Sequence, residues 1–354
     1  MDEMSMHART GHHTRGAWPV PGASAREQAT TARGLTRRGL VGGVAAIALA
    51  GRAASTRAQA SGPAFSLPIG WPGRVLGDGF FMRHGYACEN TWYNPGWWHT
   101  AEDSYVLDGN AAGADVYAIA DGEVVFAGSE YPGRVVIVRH AEDLYSMYGH
   151  LDDALAVDSG PVTRGQLLGT VLDRTDGRAP SHLHFEIRTF LTTPEVNGAA
   201  PRYGVGCGLN CPPGPGYWPI DAPEHPSVMG WRNPTHVIAG RMFAGTVPED
   251  AGVVVATGAG EVATLRSAPE DDAGQVGELP LVVGERYRLL AVKAGAEDTR
   301  ETSAEGYLVW YRIAVPGSGA AWVRAAVPDA NDTGSDGRPS SVRVDFLPDV
   351  AAAG

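Results

Sequence analysis

The segment His182-Leu183-His184-Phe185-Glu186-Ile187-Arg188 alternates polar and apolar side chains from its first residue to its last. A β-strand sorts such a pattern, because successive side chains point to opposite faces. His182, His184 and Glu186 then share one face, while Leu183, Phe185 and Ile187 point into a core. Two imidazoles two residues apart on an open strand face converge on one site, and neutral imidazole is the commonest metal-ligating side chain.

The surrounding sequence supports a sheet. Residues 116–120, Asp121-Gly122 and residues 123–126 read as a tight hairpin. Residues 135–138 form another strand, and residues 144–151 return antiparallel to it after the Ala141-Glu142-Asp143 turn. Gly165-Gln166-Leu167-Leu168-Gly169 continues the rhythm. Helical periodicity is nearly absent, so the fold class expected is mainly β, with an antiparallel sheet domain. Gly and Pro make up about a fifth of the chain without a Gly-X-Y period, which excludes collagen and favours a turn-rich β protein.

The 354 residues suggest about two domains. Residues 191–232, rich in Pro and Gly, read as an ordered loop insertion, and residues 233–245 return to the first domain. An acidic linker near Pro248 to Gly252 leads to a second set of strands at residues 287–290, 310–313 and 321–323. The polar tail from Pro328 reads as frayed, with residues 342–347 available as one more strand. The divisions are therefore 61–245, 246–330 and a tail, 331–354.

Residues 1–60 carry eight Arg against three acids, whereas the whole chain has a net charge of −12. The acidic remainder, without basic runs, argues against nucleic acid as the main partner. Arg37-Arg38, a weakly apolar Gly- and Ala-rich stretch to Gly51, and Ala58-Gln59-Ala60 stand in the order of a cleavable export signal. The paired arginines resemble a twin-arginine signal, which implies the twin-arginine export machinery as a partner and an extracellular or cell-envelope location. No stretch holds 18 consecutive apolar residues, so no permanent membrane span is expected. In an exported chain either Cys207 or Cys211 could pair with Cys88.

Two further histidine features accompany the strand. One is His99-Thr100-Ala101-Glu102-Asp103, a His-x3-Asp pair; the other is Tyr148-Gly149-His150-Leu151. A catalytic zinc needs three protein ligands and an open position. His99, Asp103 and one of the strand histidines supply such a set, leaving the other strand histidine and His150 to move protons. His140 reads as structural, and His225 and His236 receive no role. No HExxH helix is present to provide a glutamate base.

These three features occur in the order and spacing of the lysostaphin-type (LytM-like) zinc metallopeptidases. The intervening Val116-x-Ala118-x-Ala120-Asp121-Gly122-x-Val124 and Gly165-Gln166-x-x-Gly169 match too, and Asn233-Pro234 resembles the family's closing turn. The resemblance covers roughly residues 75–190. It implies a LytM-type antiparallel sheet (duplicated hybrid motif-like) with a narrow groove over Zn2+. His99, Asp103 and His184 are the implied ligands; His150 and His182 polarise the water or stabilise the tetrahedral intermediate. Tyr93, six residues before His99, corresponds to a tyrosine that steadies the oxyanion. The implied activity is a secreted metalloendopeptidase acting on peptidoglycan cross-links through zinc-activated water. Ala101 and Glu102 stand where the family usually has Gly, and Glu102 is expected to add negative charge close to the metal. Trp92, Trp97 and Trp98 crowd the first ligand as core or as groove wall.

Leu265-Arg266-Ser267-Ala268-Pro269, Val283-Gly284-Glu285, Trp310-Tyr311-Arg312-Ile313 and Ala321-Trp322-Val323 resemble a bacterial SH3-like module, which implies a small β-barrel of a kind that often binds cell wall; the alternative is a packed accessory barrel whose aromatics are all core. Tethering such a binder to an enzyme raises its local concentration at an insoluble substrate. The alternative function is a catalytically silent wall-binding scaffold or activator of another hydrolase. A cupin-like oxygenase also begins with HxH on a strand, but there the glutamate follows after three or four residues, whereas Glu186 follows at two.

Overall fold

The computed structural model describes residues 64–74, 76–90, 94–106, 109–128, 133–177, 179–196, 200, 202, 216–243, 246–256, 261–294, 309–328, 331 and 342–349. The expected export signal, Tyr93, Trp92, Cys207 and Cys211 lie outside the described residues. All described residues belong to one compact unit. They are mainly β, with short helices at Pro226–Met229 and Pro234–Arg241. Among them, no helix is long and apolar enough to cross a membrane.

The site rests on an eight-stranded antiparallel sheet. Its order is Gly160–Val162, Gly122–Gly128, Arg134–Ala141, Leu144–Leu151, Leu183–Arg188, Glu102–Val106 and Phe80–His84, and Trp231–Arg232 also pairs with Leu183–Arg188. Leu183, Phe185 and Ile187 point into one core with Val136, Val138, Tyr148 and Ile238, as the alternation requires. The expected hairpin of residues 135–151 is present, turning at Glu142-Asp143.

The expected hairpin of residues 116–126 is not. Asp115–Tyr117 pairs with Ile69–Gly70 and Leu167–Thr170 in a separate three-stranded sheet, and the chain then crosses to Gly122–Gly128 in the main one. Ala118, Ile119 and Ala120 are fully buried in that crossing. Their polar backbone groups are satisfied elsewhere, Ala118 N by Gln166 O and Ile119 O by Ser66 N. Buried backbone groups need partners, and these long-range ones outcompete a local turn.

The expected loop insertion of residues 191–232 contains regular structure. Tyr217–Pro219 joins Asn94–His99 and Glu89–Asn90 in a three-stranded sheet, and the Pro226–Met229 helix leads into Trp231–Arg232. Asn233-Pro234 opens a helix: Asn233 is the N-cap, with Oδ1 accepting from His236 N at 3.1 Å. Glu102 serves the same helix, its Oε1 accepting from Thr235 N at 3.0 Å. Glu102 and Asp103 are neighbours on one strand and so face opposite ways. The Glu102 carboxylate therefore caps a helix, where the sequence suggested added charge at the metal.

The C-terminal sheet runs in the order Gln275–Pro280, Val262–Arg266, Gly319–Arg324, Val309–Val315, Arg286–Ala294, Gly252–Val255 and Phe346–Asp349. The path has two ends, so among the described residues no closed barrel is present. The tail is not frayed across residues 342–349. Val342–Val344 pairs with Ala326–Pro328, and Phe346–Asp349 pairs with Gly252–Val255. Apolar alternation overrides the polar surroundings here, since Val342, Val344 and Phe346 are all buried. Phe346 also lines a cavity of about 70 Å³ with Leu67, Phe80, Phe185, Ile238 and Tyr311, between the main and C-terminal sheets. Phe346→Ala should cost about 3–5 kcal/mol through lost burial and an enlarged cavity. A urea denaturation midpoint measures this, and an unchanged midpoint would mean that the tail is frayed after all.

Candidate metal centre

Strand register brings the first two groups together. His184 lies opposite Asp103 on one side and opposite Gly149 on the other, and Asp103 lies opposite His84. Directly opposed side chains on antiparallel strands stand close enough to interact. His99 arrives from the Asn94–His99 strand of the smaller sheet. It is pinned there by Ala87 N to His99 O at 2.7 Å and His99 N to Cys88 O at 2.8 Å.

Three atoms then form a nearly equilateral triangle. His99 Nε2 is 3.2 Å from His184 Nδ1, His184 Nδ1 is 3.1 Å from Asp103 Oδ1, and His99 Nε2 is 3.3 Å from Asp103 Oδ1. Zinc bonds of roughly 2.0–2.1 Å in tetrahedral geometry place ligand atoms roughly 3.3 Å apart. The donor set and spacing therefore fit a tetrahedral ion with one vertex left open. His99, Asp103 and His184 are 0%, 2% and 7% exposed, so their polar atoms are largely cut off from bulk water and need partners.

Outer partners set the tautomers. His99 Nδ1–H donates to Gly85 O at 3.3 Å, leaving Nε2 to face the triangle. His184 Nε2–H donates to Glu186 Oε1 at 3.1 Å, leaving Nδ1 to do so. Gly216, with φ of 74°, closes over the His184 ring; a Cβ there would stand 2.8 Å from Cε1, so only glycine fits.

The other two histidines line the same place. His182 Nδ1–H donates to Pro180 O at 2.7 Å, and its Nε2 is 3.6 Å from Asp103 Oδ2. Its ring stacks on Tyr105, with centroids 4.5 Å apart. The His150 ring lies 4.7 Å from His182 and 5.7 Å from His184. His150 holds φ of 61°, a left-handed conformation that costs a non-glycine residue about 1–2 kcal/mol and collects at functional positions. His140 sits apart, bonded to Asp121 O and Ser146 Oγ, and is structural as expected. Trp98 is core and Trp97 is half-buried.

Burial works to raise the Asp103 carboxyl, but the charges of His99 and His182 and bonds from His184 and His99 hold it well below the usual range. Burial lowers His182, with Arg174 adding to the effect, against opposing pulls from Asp103 and Pro180. Burial also works to lower His184, yet its bonds to Asp103 and Glu186 raise it to about 9.

Sequence reasoning overlooked several members. His84 is buried beside His99 and Tyr105, their ring centroids 6.2 Å from its own, and burial pushes it down to about 4. No spacing signal marks it. Glu186 and Arg188 were visible as the continuation of the alternating face, whereas Trp231 and Gly216 had no sequence signal.

Residues 105–198 match peptidase family M23. Over 78 residues the chain is 36% identical to lipoprotein NlpD of Yersinia enterocolitica, covering 22% of this chain and 78% of that protein. It is 37% identical to the murein hydrolase activator NlpD of Escherichia coli, covering 22% and 20% respectively. The chain belongs to peptidase family M23. It spans no more than about a fifth of the length of the first curated relatives it matches. Among solved structures, lysostaphin from Staphylococcus simulans aligns with 14% identity over 75% of this chain and 94% of that one, with a TM-score of 0.31.

The metal-free site makes a pH prediction. A His184 raised from 6.5 to about 9 contributes stability that is full below pH 6.5 and lost as pH rises to about 9. A metal competes for the same nitrogen, so zinc affinity should climb across that window. Near pH 7, zinc uptake should release about one proton, read by calorimetry in two buffers of different ionisation enthalpy. Uptake with no proton release contradicts this assignment.

Proposed function

We propose that the chain is an exported zinc metalloendopeptidase that hydrolyses peptide bonds, with peptidoglycan cross-links as its substrate. The observation that carries this reading is the triangle of His99 Nε2, Asp103 Oδ1 and His184 Nδ1 with two further histidines beside it. In this reading those three side chains hold the metal. When bound, zinc supplies Lewis acidity, acidifying a water to a pKa of roughly 7 and polarising the scissile carbonyl.

The chain's own groups do the rest. His182 has committed Nδ1–H to Pro180, so Nε2 presents a lone pair toward the site. Its lowered basicity keeps it neutral near pH 7, ready to accept a proton at Nε2. His150, edge-on to His182, hydrogen-bonds the developing oxyanion or protonates the leaving amine. Tyr93 takes the oxyanion-steadying role through the family resemblance. The Tyr105 ring stacked on His182 and the Tyr217 ring 5.4 Å from His99 limit water around these groups.

Residues 1–60 act as a twin-arginine-type signal peptide that delivers a folded chain to the cell envelope or beyond. Residues 61–245 form the peptidase. Residues 246–330 act as an SH3-like wall-binding module, against whose Gly252–Val255 strand the tail strand Phe346–Asp349 pairs. A second reading, favoured by the Escherichia coli relative being a murein hydrolase activator, is a silent scaffold that stimulates another hydrolase.

Muropeptide release from purified peptidoglycan tests the choice. His184→Ala should lose both zinc and turnover. His182→Ala should keep zinc and lose roughly 10²–10⁴-fold in turnover. A zinc-loaded wild type that releases nothing, yet stimulates an added hydrolase, would replace the enzyme with the activator.

A further inference from the structure

Behind the metal-facing atom of His184, the bond to Glu186 leads on to a buried ion pair with Arg188 that the chemistry above does not use. Glu186 and Arg188 follow His184 on one strand face, and both are 0% exposed. Glu186 divides its two oxygens. Oε1 accepts from His184 Nε2 at 3.1 Å, while Oε2 accepts from Trp231 Nε1 at 3.0 Å and lies 3.6 Å from Arg188 Nη1. Arg188 Nη2 contacts Met147 Sδ at 2.8 Å, and its Nε and Nη1 have no hydrogen-bond partner.

Such an arginine is a poor stabiliser of a sheet. A buried ion pair often adds nothing over apolar residues of similar volume, and an under-bonded guanidinium is worse. What Arg188 does supply is a positive charge against the carboxylate that grips His184. Trp231 supplies direction: its indole N–H fixes Oε2, so Oε1 must point at the imidazole. Gly216 closes over the same Cε1–Nε2 edge of the ring, where a Cβ would stand 2.9 Å from Nε2 and 3.5 Å from Glu186 Oε1.

We propose that Glu186, charge-balanced by Arg188 and oriented by Trp231, is a positioning residue that locks His184 with Nδ1 toward the metal and thereby sets zinc affinity. The inference rests on the zinc reading above. It assigns the Trp231–Arg232 strand, within the segment expected to be a loop insertion, a direct part in metal retention.

The test uses the full chain and separates affinity from stability. Glu186→Leu combined with Arg188→Met removes both charges together with the acceptor that holds His184 Nε2–H. Its metal-free urea midpoint, measured alongside, separates lost stability from lost affinity. Its zinc dissociation constant, from competition with a chromophoric chelator, should rise roughly 10–100-fold. Trp231→Phe, which deletes one donor, should weaken zinc several-fold and decides the matter should the double variant fail to fold. Unchanged zinc affinity in the folded variants overturns the proposal and leaves only a structural ion pair. Zinc held tightly by a wild type that hydrolyses nothing withdraws the endopeptidase reading and keeps this one. A wild type that binds no zinc overturns both.

Discussion

The register between Leu183–Arg188 and Glu102–Val106 is the constraint on which the site depends. His184 opposite Asp103 sets one edge of the ligand triangle. A slip of one residue would carry His182, His184 and Glu186 to the core side together. That slip is opposed by Leu183, Phe185 and Ile187, which are fully buried on the other face. Core packing and metal geometry are thus one requirement written on two sides of a strand. His99 is the exception, because it comes from another sheet and depends on bonds to Ala87 and Cys88 for its position.

The site concentrates ionisable groups in a dry place, and they are tolerable only because they alternate. Arg188, Glu186, His184 and Asp103 form a line of successive partners. Low dielectric strengthens each link and penalises any member left alone. The strand that carries Asp103 also anchors the distant part of the chain. Glu102 caps the Pro234–Arg241 helix, whose Val237 and Ile238 join the main core and whose Ala239 joins the C-terminal one. The C-terminal sheet therefore leans on the element that presents Asp103.

Much of this was legible in the sequence. The alternating strand and the 135–151 hairpin follow from local period, whereas the grouping of His99, Asp103 and His184 with His150 and His182 came with the family resemblance. What was not legible depends on partners far along the chain. Residues 116–126 carry every local sign of a hairpin, yet Ala118 and Ile119 bond to Gln166 and Ser66. The Pro- and Gly-rich segment hides strands that exist only because Trp98 and Arg188 offer them pairing edges. Residues 342–347 were open as one more strand, but the cavity wall that Phe346 completes with Phe80, Phe185 and Tyr311 was not visible in the sequence. Trp231 reaches Glu186 across 45 residues, a distance no window of sequence can span.

The central claim is that His99 Nε2, Asp103 Oδ1 and His184 Nδ1 make three vertices of one tetrahedral site. The most direct measurement is a crystal of the zinc-soaked chain with an anomalous difference map recorded across the zinc absorption edge. The account predicts a single strong peak roughly 2.0–2.1 Å from those three atoms, with a solvent oxygen at the fourth vertex. A peak bound through His184 Nε2, a peak centred on other residues, or no peak within this cluster would contradict it.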